Sequence, residues 1–192
     1  MQVLHAFGQD SVASKVLQRT EAPSFNFMLE QGPGTIWETW DGGASRSHPM
    51  FCGGVGLYLY TLAGVEVDEM PATVGVSQHQ TIMRVPTTAM RQALQSAAVL
   101  YRGVHFSWVQ GSNNMVAVDL DVPYTACEGD TAVTVRFPAG AVFSNTDGGA
   151  AILAGGDDAQ HRGVSRVLVD ELGTTVLLQG GHFSFTFEST EQ

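Results

Sequence analysis

The chain has 192 residues, 44% of them hydrophobic and 15% charged, a globular composition that excludes a disordered tail. Nine Lys and Arg against nineteen Asp and Glu leave a net charge of −10. That balance argues against nucleic-acid and anionic-membrane partners and suits a neutral ligand such as a sugar.

No apolar run approaches the roughly 20 residues of a membrane-spanning helix. Residues 1–5 have neither the basic region nor the apolar core of a signal peptide, so the cytoplasm is the default expectation. Val3-Leu4-His5-Ala6-Phe7-Gly8 reads as a helix entered midway. Val12, Ala13, Val16 and Leu17 form an apolar stripe at helical spacing, with Asp10 or Ser11 as the expected cap. Pro23 ends this helix. Residues 24–31 are expected to add a short helical turn, stopped by Gly32-Pro33-Gly34. A further helix is expected over residues 49–64, opening on Pro49, a favoured first-turn residue. It is apolar nearly all round, and Gly53, Gly54 and Gly56 each cost about 1 kcal/mol in its interior. Such a helix persists only when buried, with small residues letting neighbouring backbones approach.

From about residue 80 the apolar period switches to two. Val116, Val118, Leu120 and Val122 alternate with polar or small residues, as do Val133, Val135 and Phe137, and Phe183, Phe185 and Phe187. Gly111-Ser112-Asn113-Asn114 is the expected hairpin turn between strands at 104–109 and 115–122. Further apolar runs at 94–101, 164–169 and 174–178 bring the total to seven or eight strands of an antiparallel β-sandwich, expected to fold by itself. The glycine-rich stretch 148–158 matches neither a phosphate loop nor a calcium loop and reads as a surface insertion. The expected class is therefore α+β in two parts, residues 1–75 helical and 76–192 sandwich. Three helices within about 75 residues cannot bury themselves. Either the sandwich covers them or they belong to a larger helical body outside this chain.

Chemistry concentrates in Thr35-Ile36-Trp37-Glu38-Thr39-Trp40-Asp41-Gly42. Indoles stack on the apolar face of a pyranose, and a carboxylate between them can take the proton of an attacking water. Asp41 reads as an orienting residue or as a turn former before Gly42-Gly43. Cys52 and Cys127 have no metal-type spacing and read as two unrelated thiols. The six histidines are dispersed without a ligand-type pair, and no Gly-x-Ser-x-Gly elbow is present, so neither a metal nor another cofactor is expected.

Three ordered blocks carry a family resemblance: Pro23-Ser24-Phe25-Asn26-Phe27-Met28-Leu29, the Trp-Glu block, and Gly54-Val55-Gly56-Leu57-Tyr58-Leu59-Tyr60 with Ala63-Gly64-Val65. Together they resemble the carboxy-terminal part of a glycoside hydrolase family 78 α-L-rhamnosidase, over about residues 1–140. The resemblance implies the last helices of an (α/α)6 six-hairpin barrel followed by a β-sandwich, and an inverting hydrolysis of terminal α-L-rhamnosides. It makes Glu38 the general base and His48 a sugar contact, with Trp40 or Trp37 flooring the sugar. Thr39 stands where the family usually has arginine, Leu57 where glutamate is common, and the Asp41-to-His48 segment is short. The family's general acid lies upstream of any segment matched here. The expected partners are a rhamnoside and either the remaining barrel helices or a second copy. The alternative is a non-catalytic carbohydrate-binding or scaffolding protein built on the same sandwich.

Overall fold

The computed structural model describes residues 1–66, 81–123, 133–138, 141–143, 164–170 and 173–188. It contains two compact units, Met1–Leu59 and Tyr60–Gln192. The boundary expected at residues 75–76 lies outside the described residues, as do the 148–158 loop, His79, His161 and Cys127.

The first unit consists of α1 (Gln2–Ala6), α2 (Asp10–Gln18), α3 (Phe25–Gln31) and most of α4 (Pro49–Leu62). The first helix is short, and Gly8, at φ 66°, turns the chain into α2. Neither Asp10 nor Ser11 caps α2. Gln9 is the N-cap and makes no side-chain cap bond, whereas Asp10 turns inward and is almost wholly buried. There Tyr58 Oη donates to Asp10 Oδ1 at 3.0 Å, and His5 Nδ1 lies 2.9 Å from the same oxygen. One buried carboxylate thus ties α1, α2 and α4 together. The α2 stripe is also rotated from expectation: Ala13 and Ser14 are buried, while Val12 and Val16 stay exposed. The inward turn of Asp10 accounts for this, because positions 10, 13 and 14 share one helical face. In α4 the Cβ that Gly53, Gly54 or Gly56 lacks would meet nothing within 4 Å. The close backbone approach expected at these glycines is not made within the described residues.

The second unit is mainly β. One sheet has the order β1 (Val65–Glu66), β2 (Ile82–Arg84), β6 (Val133–Pro138), β9 (Gly173–Leu178), β8 (Val164–Asp170). The other runs β3 (Ser96–Tyr101), β4 (Val104–Gln110), β5 (Met115–Val122), β10 (Gly181–Glu188), β7 (Val142–Phe143). Both sheets contribute to a single hydrophobic core. Val135, Phe137, Val176 and Leu178 of the first meet Phe106, Trp108, Val118, Leu120, Phe185 and Phe187 of the second. Period-two alternation arises because each of these strands has one face in that core. Phe137 sits at its centre, edge-on to Phe143, Phe185 and Phe187.

Two features depart from a purely antiparallel sandwich. A short helix, α5 (Thr88–Ala93), capped by Thr87 Oγ1 accepting from Met90 N, precedes β3. The β2–β6 pair is parallel, with Arg84 opposite Arg136. The cause is topological: after β2 the chain crosses to the other sheet, builds β3, β4 and β5, and returns to β6 in its original direction. Glu66 offsets the neighbouring guanidiniums, accepting from Arg84 at 2.9 Å and from Arg136 at 2.7 Å. The hairpin at Gly111–Asn114 forms as expected, with Asn113 and Asn114 at φ 56° and 58°. Gly64 must be glycine. Its φ is 103°, and a Cβ there would lie 2.5 Å from the Phe106 ring and 2.7 Å from the Arg84 carbonyl.

Candidate functional site

The site lies in the first unit, in the loop that joins α3 to α4. Ser24 caps α3 by accepting from Phe27 N at 3.0 Å, which presents Phe25, Phe27 and Met28 to the loop. The returning chain is pinned in register: His48 N donates to the Ile36 carbonyl at 2.9 Å, Glu38 N to the Ser45 carbonyl at 2.8 Å, and Thr35 Oγ1 to the Arg46 carbonyl. Met28, Ile36 and Trp37 form a small core of their own.

The two tryptophans have different surroundings. Trp37 is 4% exposed, its backbone N–H reaches Met28 Sδ at 3.4 Å, and the Arg46 guanidinium lies over its ring at 4.9 Å. A Cβ at Gly32 would fall 2.6 Å from its Nε1, and one at Gly42 would fall 2.9 Å from the opposite edge. Trp37 is thus held between Gly32 and Gly42 with Arg46 over its ring, and ties the loop to α3. Trp40 is 49% exposed and leans on Phe25, with ring centroids 5.3 Å apart.

Between them, Glu38 stands exposed. Its Oε2 accepts from Ser45 N at 3.3 Å, so the backbone of Ser45 fixes both ends of this residue. Asp41 accepts from Thr39 Oγ1 at 2.7 Å and from Gly43 N at 3.0 Å. These bonds, the threonine hydroxyl first, hold its carboxyl below the ordinary aspartate range. Asp41 is the turn former of the two roles expected for it, bound within the loop rather than to Glu38.

A cavity of about 490 Å³ opens at this loop. Glu38, Trp37 and Trp40 line it together with Phe25, Met28 and Val55. The structure therefore brings three of the four expected site residues to one cavity. His48, half-buried ahead of α4, is not among the lining residues. Phe25, Met28 and Val55 were not singled out as site residues by sequence, because their apolar spacing reads equally as helix packing. An exposed carboxylate anchored through one oxygen, beside an open indole face in an apolar cavity, has the elements to hold a pyranose and to polarise a water. Glu30, at the end of α3, accepts from Asn26 and is exposed. Among the described residues no group of three His, Cys, Asp or Glu surrounds a point where a metal ion could sit.

No curated protein and no solved structure matches the chain. Residues 1–63, about a third of its length, match the family model of the bacterial alpha-L-rhamnosidase 6 hairpin glycosidase domain, which relates the helical part of this protein to a sugar-hydrolysing domain.

Proposed function

We propose that the first unit is the carboxy-terminal portion of a six-hairpin barrel of the family 78 type, and that Glu38 is its general base in the hydrolysis of a terminal α-L-rhamnoside. The observation that carries this reading is Glu38 on the wall of an apolar cavity, beside the exposed Trp40, inside the segment related to the rhamnosidase domain. Trp40 offers the sugar its open face. Glu38, oriented by the Ser45 N–H, takes a proton from water as that water attacks the anomeric carbon from the side opposite the leaving group. Direct attack inverts the configuration and needs a second carboxyl about 6.5–9.5 Å away to protonate the leaving oxygen. That acid comes from the remaining barrel helices. His48 orients the sugar or the helix start behind the loop.

The open surfaces of α2 and α4 support the same reading. Val12, Val16, Leu57 and Leu59 are exposed, and the α4 glycines face open space, as expected of helices that meet further helices in a complete barrel. The test joins this chain to the preceding barrel helices and assays an aryl α-L-rhamnoside. The expected result is turnover with the inverted anomer as first product by NMR. Glu38→Gln keeps the shape but cannot accept the proton, and is expected to lose about 10²–10⁴-fold in kcat. Near-normal kcat in that variant would reduce the motif to core packing.

A further inference from the structure

Strand register brings together residues that are far apart in sequence. On the solvent face of the second sheet His105, Asp121 and His182 lie directly opposite one another across β4, β5 and β10. The next row places Ser107, Asp119 and Ser184 side by side. All four imidazole and carboxylate side chains are exposed, because the opposite face of each strand fills the core. Two of these side chains already meet across the strands. His182 leans over β5 so that its Nε2 stands 3.2 Å from Asp119 Oδ1, and Ser184 Oγ donates to that same oxygen at 2.7 Å.

We propose that this face is a binding site for a zinc-type divalent transition metal, built from His105, His182, Asp119 and Asp121. Zinc bonds of about 2.0–2.2 Å in tetrahedral geometry set two ligand atoms about 3.3 Å apart. The His182–Asp119 ion pair, at 3.2 Å, is close to that separation, so an ion could replace the proton between them with little movement. Ser184 then acts on the carboxylate as outer groups act on metal ligands, fixing its orientation. Directly opposed Cα atoms on neighbouring strands are about 4.5–5.5 Å apart, so His105 and His182 flank Asp121 at about 10 Å. Two imidazoles leaning inward from that distance reach a common ion over the middle strand. As the side chains stand, no three of them surround one point. His105 completes the set by a rotamer change, which an exposed side chain makes easily. Two imidazoles select zinc, nickel or copper over magnesium, which prefers oxygen ligands. An ion here would clamp β4, β5 and β10 together.

The test uses the full chain, stripped with chelator and kept reduced, in equilibrium dialysis and calorimetric titration with zinc chloride. The expected result is one zinc per chain that His105→Ala and His182→Ala each weaken at least tenfold, with unchanged circular dichroism. Zinc should raise the melting temperature of the parent more than that of the double variant, and magnesium should do neither. No saturable zinc binding, binding unchanged in the double variant, or equal binding of magnesium would each overturn the proposal.

Discussion

Tyr58→Phe probes the buried junction of α1, α2 and α4 by removing one oxygen and no carbon. The ring stays, so no cavity forms, and only the hydrogen bonds to Asp10 are lost. Asp10 is almost fully buried and keeps His5 as its remaining side-chain partner. A buried hydrogen bond to a charged acceptor contributes about 1.5–3 kcal/mol. The opening equilibrium of this unit should therefore rise about 10–150-fold, at 1.4 kcal/mol per tenfold. Native-state amide exchange read at α2 and α4 measures it directly. Tyr60→Phe is the comparison, since Tyr60 is partly exposed and its ring meets Tyr101 edge-on. A second signature is pH. Burial first, then the Asp10 charge and the bond to it, raise the Tyr58 hydroxyl well above the usual phenol range. A raised folded value means that the unfolded state gives up the proton first. Stability from this group is then complete below about pH 10 and falls as the pH climbs beyond it. The phenylalanine variant should lack that alkaline component. Unchanged exchange at α2, together with an identical alkaline profile, would refute the junction.

Glu66→Gln removes the charge between Arg84 and Arg136. Because these groups are partly exposed, the expected cost is only about 0.5–1 kcal/mol, shrinking in high salt, as urea melts at two ionic strengths would read. Gly64→Ala forces a Cβ against the Arg84 carbonyl at positive φ, and should cost more than the 1 kcal/mol or so of an ordinary glycine replacement. Equal urea midpoints for Gly64→Ala and the parent would show that the turn relaxes freely.

Much of the second unit was legible because burial on one face writes itself into the chain every second residue, as in Val116–Val122 and Phe183–Phe187. The start of α4 was legible in Pro49, and its end fell at Leu62, two residues short of the expected Gly64. The parallel β2–β6 pairing was not, since strand direction depends on a crossover that no local pattern encodes. The Asp10–Tyr58 bond spans 48 positions and looks locally like a helix cap. At the candidate site, Trp37-Glu38-Thr39-Trp40 stood out in the sequence, but not which indole would be buried. Gly32 and Gly42 make the room for Trp37, since a Cβ at either would fall 2.6 or 2.9 Å from its ring. The His105–Asp121–His182 row was hidden for the same reason as the parallel pair: its members meet only after strands align.

The placement of β10 has a consequence for how this unit is made. Residues 181–188 form neither an edge nor a lid but an inner strand, hydrogen-bonded to β5 along its full length and to β7 beyond. Until the ribosome has released them, β5 presents an unpaired edge and Val118 and Leu120 lack the phenylalanines that seal them. An unpaired apolar edge recruits other chains. Folding of the sheet is therefore deferred until synthesis has passed residue 188, and joins positions separated by about sixty residues or more, a slow kind of closure. A stop codon after residue 180 would do more harm than many substitutions in the core, because it would leave a permanently open sheet rather than a weakened one.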